Sequence, residues 1–342
     1  MSAPTKSLDQ LSRQELDELI RQLQEQGPAP LPAATGSRRE RPAGGSPVSF
    51  AQRRLWFLDQ LDPGSAVYNI AGAIDLAGPL DGAALARALD EIGRRHEVLR
   101  TSFVVAGGEP VQVAGPPFSL APPVADLAAL PPAAREAEAE RLSAAAAREP
   151  FDLSRQPLVR ARLLRLAAQE HTLLVTLHHT VADGWSLGVF LRDLVTLYGA
   201  ACTGRPSPLS PLPIQFADFA MREREELQGE PLERLLAYWR RRLAALPPPL
   251  ALPTDRPHPA QPAPQSPQGG RVPLVLPAEL SGEVEAFARR RGTLPFMALL
   301  AALDALLCRY TGQEDLIVGS AVANRDRVET EDLIGFFVNT LA

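Results

Sequence analysis

Of the chain's five histidines, two stand adjacent in His178-His179-Thr180-Val181-Ala182-Asp183-Gly184-Trp185-Ser186. Imidazole is the side chain best matched to moving protons near neutral pH. The run Thr172–Leu177 in front of the pair is aliphatic and β-branched and reads as a buried strand. Asp183-Gly184 reads as a turn opening the next segment. A lone histidine at a strand end would normally be a satisfied core residue. Two adjacent ones face opposite ways, so one ring packs while the other points elsewhere. Asp183, four residues beyond His179, could either orient that ring in a dyad or anchor the local backbone.

Other chemistries fail on inventory. Zinc takes three or four nitrogen or sulfur ligands. His96, His171 and His258 supply no second half-site, and Cys202 and Cys308 lack metal-ligand spacing, so no metal is expected. Lys6 is the only lysine, and every other basic residue among the 35 is arginine. The folded body therefore has no amine for Schiff-base, pyridoxal or P-loop chemistry. No GxGxxG follows a strand, which leaves no dinucleotide site. Ser186 as a nucleophile would need a base and an oxyanion hole that the sequence does not show. A net charge of -5 gives no basic field for nucleic acid. With no apolar run of membrane-spanning length, no signal peptide and two isolated cysteines, the reading is a cytoplasmic protein without a membrane partner.

The histidine segment matches HHxxxDG and resembles the condensation domains of nonribosomal peptide synthetases, within the chloramphenicol acetyltransferase-like superfamily. Further segments carry the resemblance in the family's order. Ser49-Phe50-Ala51-Gln52-Arg53-Arg54-Leu55-Trp56-Phe57-Leu58 is similar to SxAQxRLWxL, and Arg95 to Phe103 to RHExLRTxF. Phe216 to Ala220 resembles YxDYA, and Ile334 to Thr340 resembles IGxFVNT. Where the family often has tryptophan after YxDYA, Met221-Arg222 stands here. Asp183-Gly184-Trp185-Ser186 resembles the subtype that takes an L-configured donor, rather than the DGVSW of epimerisation relatives. Heterocyclising relatives carry aspartates in place of the histidines. Recruitment relatives without catalysis commonly lose the histidine motif, which is intact here.

The resemblance implies an α/β (α+β) fold of two acetyltransferase-like lobes in a V around a central tunnel. It implies amide formation between a carrier-bound acyl or aminoacyl thioester and the α-amine of a carrier-bound aminoacyl acceptor. His179 is the catalytic candidate, with His178 and Gly184 in the same motif. His178 is expected to pack or hydrogen-bond within the lobe, and Gly184 to permit the turn and close backbone approach to substrate. Asp183 is expected to pair with Arg95 or Arg100, and Trp185, Ser186 and Asn339 to line the tunnel. Trp56 could line it or simply pack. No cofactor is bound directly; phosphopantetheine thioesters arrive on donor and acceptor carrier proteins, with an adenylation domain adjacent. Family domains continue beyond Val338-Asn339-Thr340, so the second lobe is expected to be truncated at Ala342.

The elements that must position these residues read as follows. Leu11–Gln26 is an amphipathic helix with an apolar stripe of Leu16, Leu19, Ile20 and Leu23. A helix of this length is marginal alone. With its Pro- and Gly-rich linker it makes residues 1–45 a candidate docking element for an upstream synthetase subunit, or a helix packed on its own body. Asp81–Ile92, Ala133–Glu149 and Leu187–Tyr198 read as helices, and Leu158–Leu166 as a strand. Leu99–Val105 and Val111–Val113 flank Gly107-Gly108, a hairpin signal. Pro206–Pro213 reads as the boundary between a first lobe, 46–205, and a second, 206–342. Beyond it come helices over Pro231–Leu246, Leu280–Arg291 and Pro295–Tyr310, and a proline-rich crossing over Pro247–Pro277. Leu316–Gly319 reads as a buried strand and Ala323–Thr330 as a charged loop.

Overall fold

The computed structural model describes residues 38–42, 44–254 and 272–342. The helix expected over Leu11–Gln26 and the middle of the proline-rich crossing lie outside them. From the N-terminal side come β1 (Ser46–Pro47), α1 (Phe50–Leu61), β2 (Asn69–Ala77), α2 (Gly82–Arg95), β3 (Thr101–Ala106), β4 (Glu109–Ala114) and β5 (Val124–Asp126). There follow α3 (Pro132–Arg148), β6 (Val159–Ala167), β7 (Glu170–His178), α4 (Gly184–Cys202), α5 (Phe216–Glu226) and α6 (Gly229–Arg242). The last are α7 (Ala278–Arg291), α8 (Pro295–Thr311), β8 (Ser320–Val322), α9 (Val328–Glu331) and β9 (Asn339–Leu341).

Strand β7 organises the molecule. It is buried from His171 to His178, as an aliphatic run with no polar face requires. It sits between β2 and β6, antiparallel to both, in a four-stranded sheet of order β2-β7-β6-β5. Leu163 of β6 and Leu173, Val175 and Leu177 of β7 share one core with Leu85, Leu89 and Ile92 of α2 and Val189, Phe190 and Leu194 of α4. Each such side chain contributes about 1.5–3 kcal/mol by leaving water. Asp81 caps α2 by accepting from the Ala84 amide at 2.9 Å. Beside β2, Asn69 Nδ2 donates to the carbonyls of Ala147 and Glu149, which holds the end of α3 against the sheet. A second sheet, β1-β4-β3, carries the Gly107-Gly108 hairpin, with φ of 61° and 85° at the two glycines.

Three features depart from the sequence reading. Strand β2 carried no signal, because Asn69-Ile70-Ala71-Gly72-Ala73 is mostly small residues with a single β-branched one; its pairing with β7 makes it a strand. Leu316–Gly319 is neither strand nor buried, and Ile317 is 45% exposed. The extended residues lie later, at β8, which pairs with β9. Finally, the chain does not leave the first core at Pro206–Pro213. Leu212, Ile214, Phe216 and Ala220, and again Leu333, Ile334 and Phe337, pack into the same cluster as β7.

Candidate active site

The strand order delivers the histidine pair to the end of β7, where the backbone turns. His179 N–H donates to the Tyr68 carbonyl at 2.8 Å, which ends the β2–β7 ladder. Ser49 and Gln52 form a reciprocal capping box on α1. The Gln52 side chain then donates to the Thr180 carbonyl at 3.1 Å, so α1 supports the turn after the histidines.

The two imidazoles have different fates. His178 is buried, and its Nδ1 takes the Thr180 amide at 3.2 Å and lies 2.8 Å from the Thr180 hydroxyl. The amide can only donate, so Nδ1 carries no proton. Burial, with the neighbouring His179 adding to it, pushes the His178 pKa down to about 4. The Nδ1 side of this ring is occupied, and the ring packs edge-on against Tyr68 and Phe151. His179 is only partly buried, and its Nδ1 lies 2.9 Å from the Ala182 carbonyl. A carbonyl can only accept, which assigns the proton to Nδ1 and the lone pair to Nε2. No described residue hydrogen-bonds that Nε2. The Phe336 ring meets the His179 ring edge-on, centroids 4.8 Å apart.

Asp183 makes no hydrogen bond to the His179 ring, whose Nδ1 is held by the Ala182 carbonyl. It is the N-cap of α4 and accepts from the Ser186 amide at 2.9 Å and the Ser186 hydroxyl at 2.7 Å. Its other oxygen accepts from the Phe337 amide at 3.1 Å. Neither Arg95 nor Arg100 is its ion partner. Arg325 is, at 3.2 Å, and the guanidinium also donates to the Leu333 carbonyl at 2.8 Å and to the Thr330 carbonyl. Burial pushes the Arg325 guanidinium below its ordinary value, and the Asp183 carboxylate opposes that push. Arg95, at the end of α2, instead faces Asp193 of α4 at 3.1 Å, and Arg100 is turned toward the Gly115 carbonyl and Glu97.

The remaining expectations divide. Gly184 needs no left-handed backbone, so the turn itself does not demand glycine; a Cβ there would meet open space. Ser186 is 1% exposed and cannot line anything, since its hydroxyl is shared among Asp183, Arg325 and both backbone groups of Gly335. Trp185 is half exposed, and its indole N–H donates to the Glu331 carbonyl at 3.0 Å. Trp56 packs partly buried against the core. Asn339 is exposed and borders a cleft of about 320 Å³ with Phe50, Arg54, Asn324, Phe337 and Val338. Sequence reasoning gave no role to Arg325, Phe336, Gln52 or Tyr68. Gln52 and Phe336 lay within recognised motifs, whereas Arg325 stood in a stretch read only as a charged loop.

A four-stranded sheet packed against helices, with the histidine pair at the end of its β7 strand, defines a mixed α/β protein. The chain belongs to the condensation-domain family, whose model, described as Condensation domain, matches residues 43–342. Phosphinothricin tripeptide synthetase PhsC of Streptomyces viridochromogenes is 49% identical over 316 residues, 92% of this chain and 29% of that protein. Chondramide synthase cmdD of Chondromyces crocatus is 48% identical over 295 residues, 86% of this chain and 7% of that protein. The chain thus spans less than a third of either relative. Among solved structures, the X-domain from teicoplanin biosynthesis superposes with a TM-score of 0.77 at 32% identity, over 89% of this chain and 66% of that one. The first condensation domain of the calcium-dependent antibiotic synthetase, in complex with a substrate analogue, gives 0.71 at 27% identity, over 86% and 67%. No single helix among the described residues is long and apolar enough to cross a membrane.

Proposed function

We propose that the chain forms an amide bond between a carrier-bound acyl or aminoacyl thioester and the α-amine of a carrier-bound aminoacyl acceptor, at His179. The observation that carries this reading is the fixed tautomer of His179: Nδ1–H on the Ala182 carbonyl, and an Nε2 lone pair without a partner among the described residues. The amine attacks the thioester carbonyl, the C–N bond forms and the C–S bond breaks. The proton shed by the amine is received or steered by Nε2 and leaves with the thiol, so the ring ends as it began. A thioester is already activated, so holding both reactants near that nitrogen supplies much of the acceleration. Asp183, Ser186 and Arg325 act on the backbone around the site and not on the reacting atoms.

On this reading phosphopantetheine reaches the chain on its partners, the donor and acceptor carrier proteins, with an adenylation domain adjacent in the same synthetase. Residues 1–45, of which Leu11–Gln26 lies outside the described residues, are a candidate docking element for an upstream subunit, and Trp185 and Asn339 border the path of the two arms. Donor selection of the L-configured type follows from Asp183-Gly184-Trp185-Ser186. A cytoplasmic setting is supported by the two cysteines, which are unpaired.

The test is amide formation from purified donor and acceptor carriers loaded with aminoacyl thioesters. His179→Ala should lower the rate by at least about a hundredfold, the usual scale for one positioned proton-handling group. Carrier loading and melting temperature should stay near those of the wild type. Undiminished product in that variant removes His179 from the chemistry.

A further inference from the structure

The segment Leu333–Phe337 is held by hydrogen bonds to its backbone at Leu333, Ile334, Gly335 and Phe337. The Leu333 carbonyl accepts from Arg325 at 2.8 Å, and the Gly335 amide donates to the Ser186 hydroxyl at 3.1 Å. The Phe337 amide donates to Asp183 at 3.1 Å. Those partners all belong to the Asp183 network. The Ile334 amide goes elsewhere: it donates to Nδ1 of His96, at the end of α2, at 3.3 Å.

His96 is 1% exposed, and its Nε2 lies 3.0 Å from the Asp193 carboxylate. Because an amide can only donate, His96 Nδ1 is bare and its proton sits on Nε2, where Asp193 accepts it. Burial pushes this histidine's pKa down, in keeping with a neutral ring. Asp193 does not depend on His96 alone, since Arg95 lies 3.1 Å away and Arg192 3.4 Å away. Two residues beyond Ile334, the Phe336 ring meets His179.

We propose that His96 is a positioning residue for His179: by accepting the Ile334 amide, it fixes the segment that sets the Phe336 ring edge-on against the His179 imidazole. Asp193 works one step behind it, holding the tautomer that leaves Nδ1 free for the amide. The clamp stands on geometry; its effect on turnover rests on the reading of His179 given above. The competing role is structural only, with His96 serving to satisfy buried Asp193.

The two ring nitrogens separate these roles. His96→Asn places an amide oxygen near the position of Nδ1 and gives up Asp193. His96→Gln places an amide nitrogen near the position of Nε2 and gives up the acceptor for Ile334. The chain has five histidines, so ¹³C,¹⁵N-histidine labelling gives few enough imidazole signals to assign by substitution. Phe336→Leu calibrates the change in the His179 ring signals when the aromatic neighbour is lost. His96→Gln should move the His179 signals in the direction of Phe336→Leu, while His96→Asn leaves them at wild-type positions. The proposal is overturned if His96→Gln leaves them unmoved, or if both variants move them equally. Should His96→Gln fail to fold, His96→Asn decides alone, and a displacement as large as that of Phe336→Leu overturns the clamp.

Turnover with carriers loaded with aminoacyl thioesters provides the second arm. His96→Gln should lower kcat about tenfold or more with little change in KM, and His96→Asn should restore it. If His179→Ala is itself fully active, the reading of His179 fails while the signal shifts still judge the clamp.

Discussion

His178 and His179 share one chemistry and are separated by what reaches their Nδ1 atoms. An amide and a hydroxyl at His178 favour a bare Nδ1, and a carbonyl at His179 requires a protonated one. The first ring is therefore held neutral, and its charging competes with folding. Its pKa of about 4 in the native state lies below the ordinary value of 6.5, so between those two pH values the unfolded chain binds more protons than the folded one. Stability must then rise with pH across that window and be lost as pH falls through it, by up to about 3 kcal/mol for this group alone. His96 shifts in the same direction and adds to the effect. Urea unfolding at pH 7.5 and pH 5 should show a lower midpoint at the acidic pH with little change in slope. His178→Asn keeps an acceptor near Thr180 but cannot titrate, so the gap between the two midpoints should narrow. A gap of unchanged size in that variant would mean that other groups carry the acid sensitivity.

At the scale of elements, the start of α4 is joined to the Leu333–Phe337 segment by the Asp183–Phe337 and Ser186–Gly335 hydrogen bonds and by the buried Asp183–Arg325 ion pair. Asp183→Ala removes an N-cap, worth about 1 kcal/mol, and strands the Arg325 guanidinium, worth about 3–5 kcal/mol. The stranded charge is the larger effect. Either single substitution strands a buried charge, and Asp183→Ala also loses the cap and the acceptor of the Phe337 amide, so it should destabilise more than Arg325→Met. In a double-mutant cycle read by urea unfolding, the double variant should fall short of the sum by about 1–3 kcal/mol. Strict additivity would show that the pair is not coupled. Gly335 is tied to the same junction for a steric reason. A Cβ built there lies 2.1 Å from Phe216 Cδ2, so Gly335→Ala must displace a ring that is itself 1% exposed. The expected loss is about 1–3 kcal/mol, together with a fall in amide formation. A variant of wild-type stability would show that the Phe216 ring has room to move.

Much at this scale was legible in the sequence. Helix α2 followed from Leu85, Ala88, Leu89 and Ile92 at helical spacing behind Asp81, and β7 from an unbroken aliphatic run. The hairpin followed from its two glycines. The partner of Asp183 was not legible, because Arg325 is separated from it by α4 to α8 and lies in a loop with no periodic pattern. Ion pairing across such a distance is fixed by tertiary contact, and several arginines satisfied the same local chemistry. Strand β2 was hidden for a related reason: its pairing, not its composition, makes it a strand.

Across the whole molecule, hydrophobic burial is uneven, and stability should follow it. The shared core draws on residues from Val48 to Ala220 and again from Leu333 to Phe337, with nothing contributed by the described residues between. Helices α6 and α8 have no buried residue, and α7 has Ala288 alone. On α8 the apolar side chains Phe296, Met297, Leu299, Leu303 and Leu306 are all at least 42% exposed. Side chains in that state contribute little by leaving water, so the backbone of α6 to α8 should open by local fluctuation well below the free energy of global unfolding. Hydrogen exchange should therefore fall into two tiers. Amides of β6, β7, α2 and α4 should exchange only through global unfolding, and those of α6 to α8 orders of magnitude faster. Substitution gives an independent reading of the same division. Leu173→Ala, at a fully buried position in β7, should cost about 2–5 kcal/mol, whereas Leu303→Gln on α8 should change global stability by less than about 0.5 kcal/mol. Equal protection in the two tiers, or a core-sized loss from Leu303→Gln, would mean that α8 is cooperatively part of the folded core.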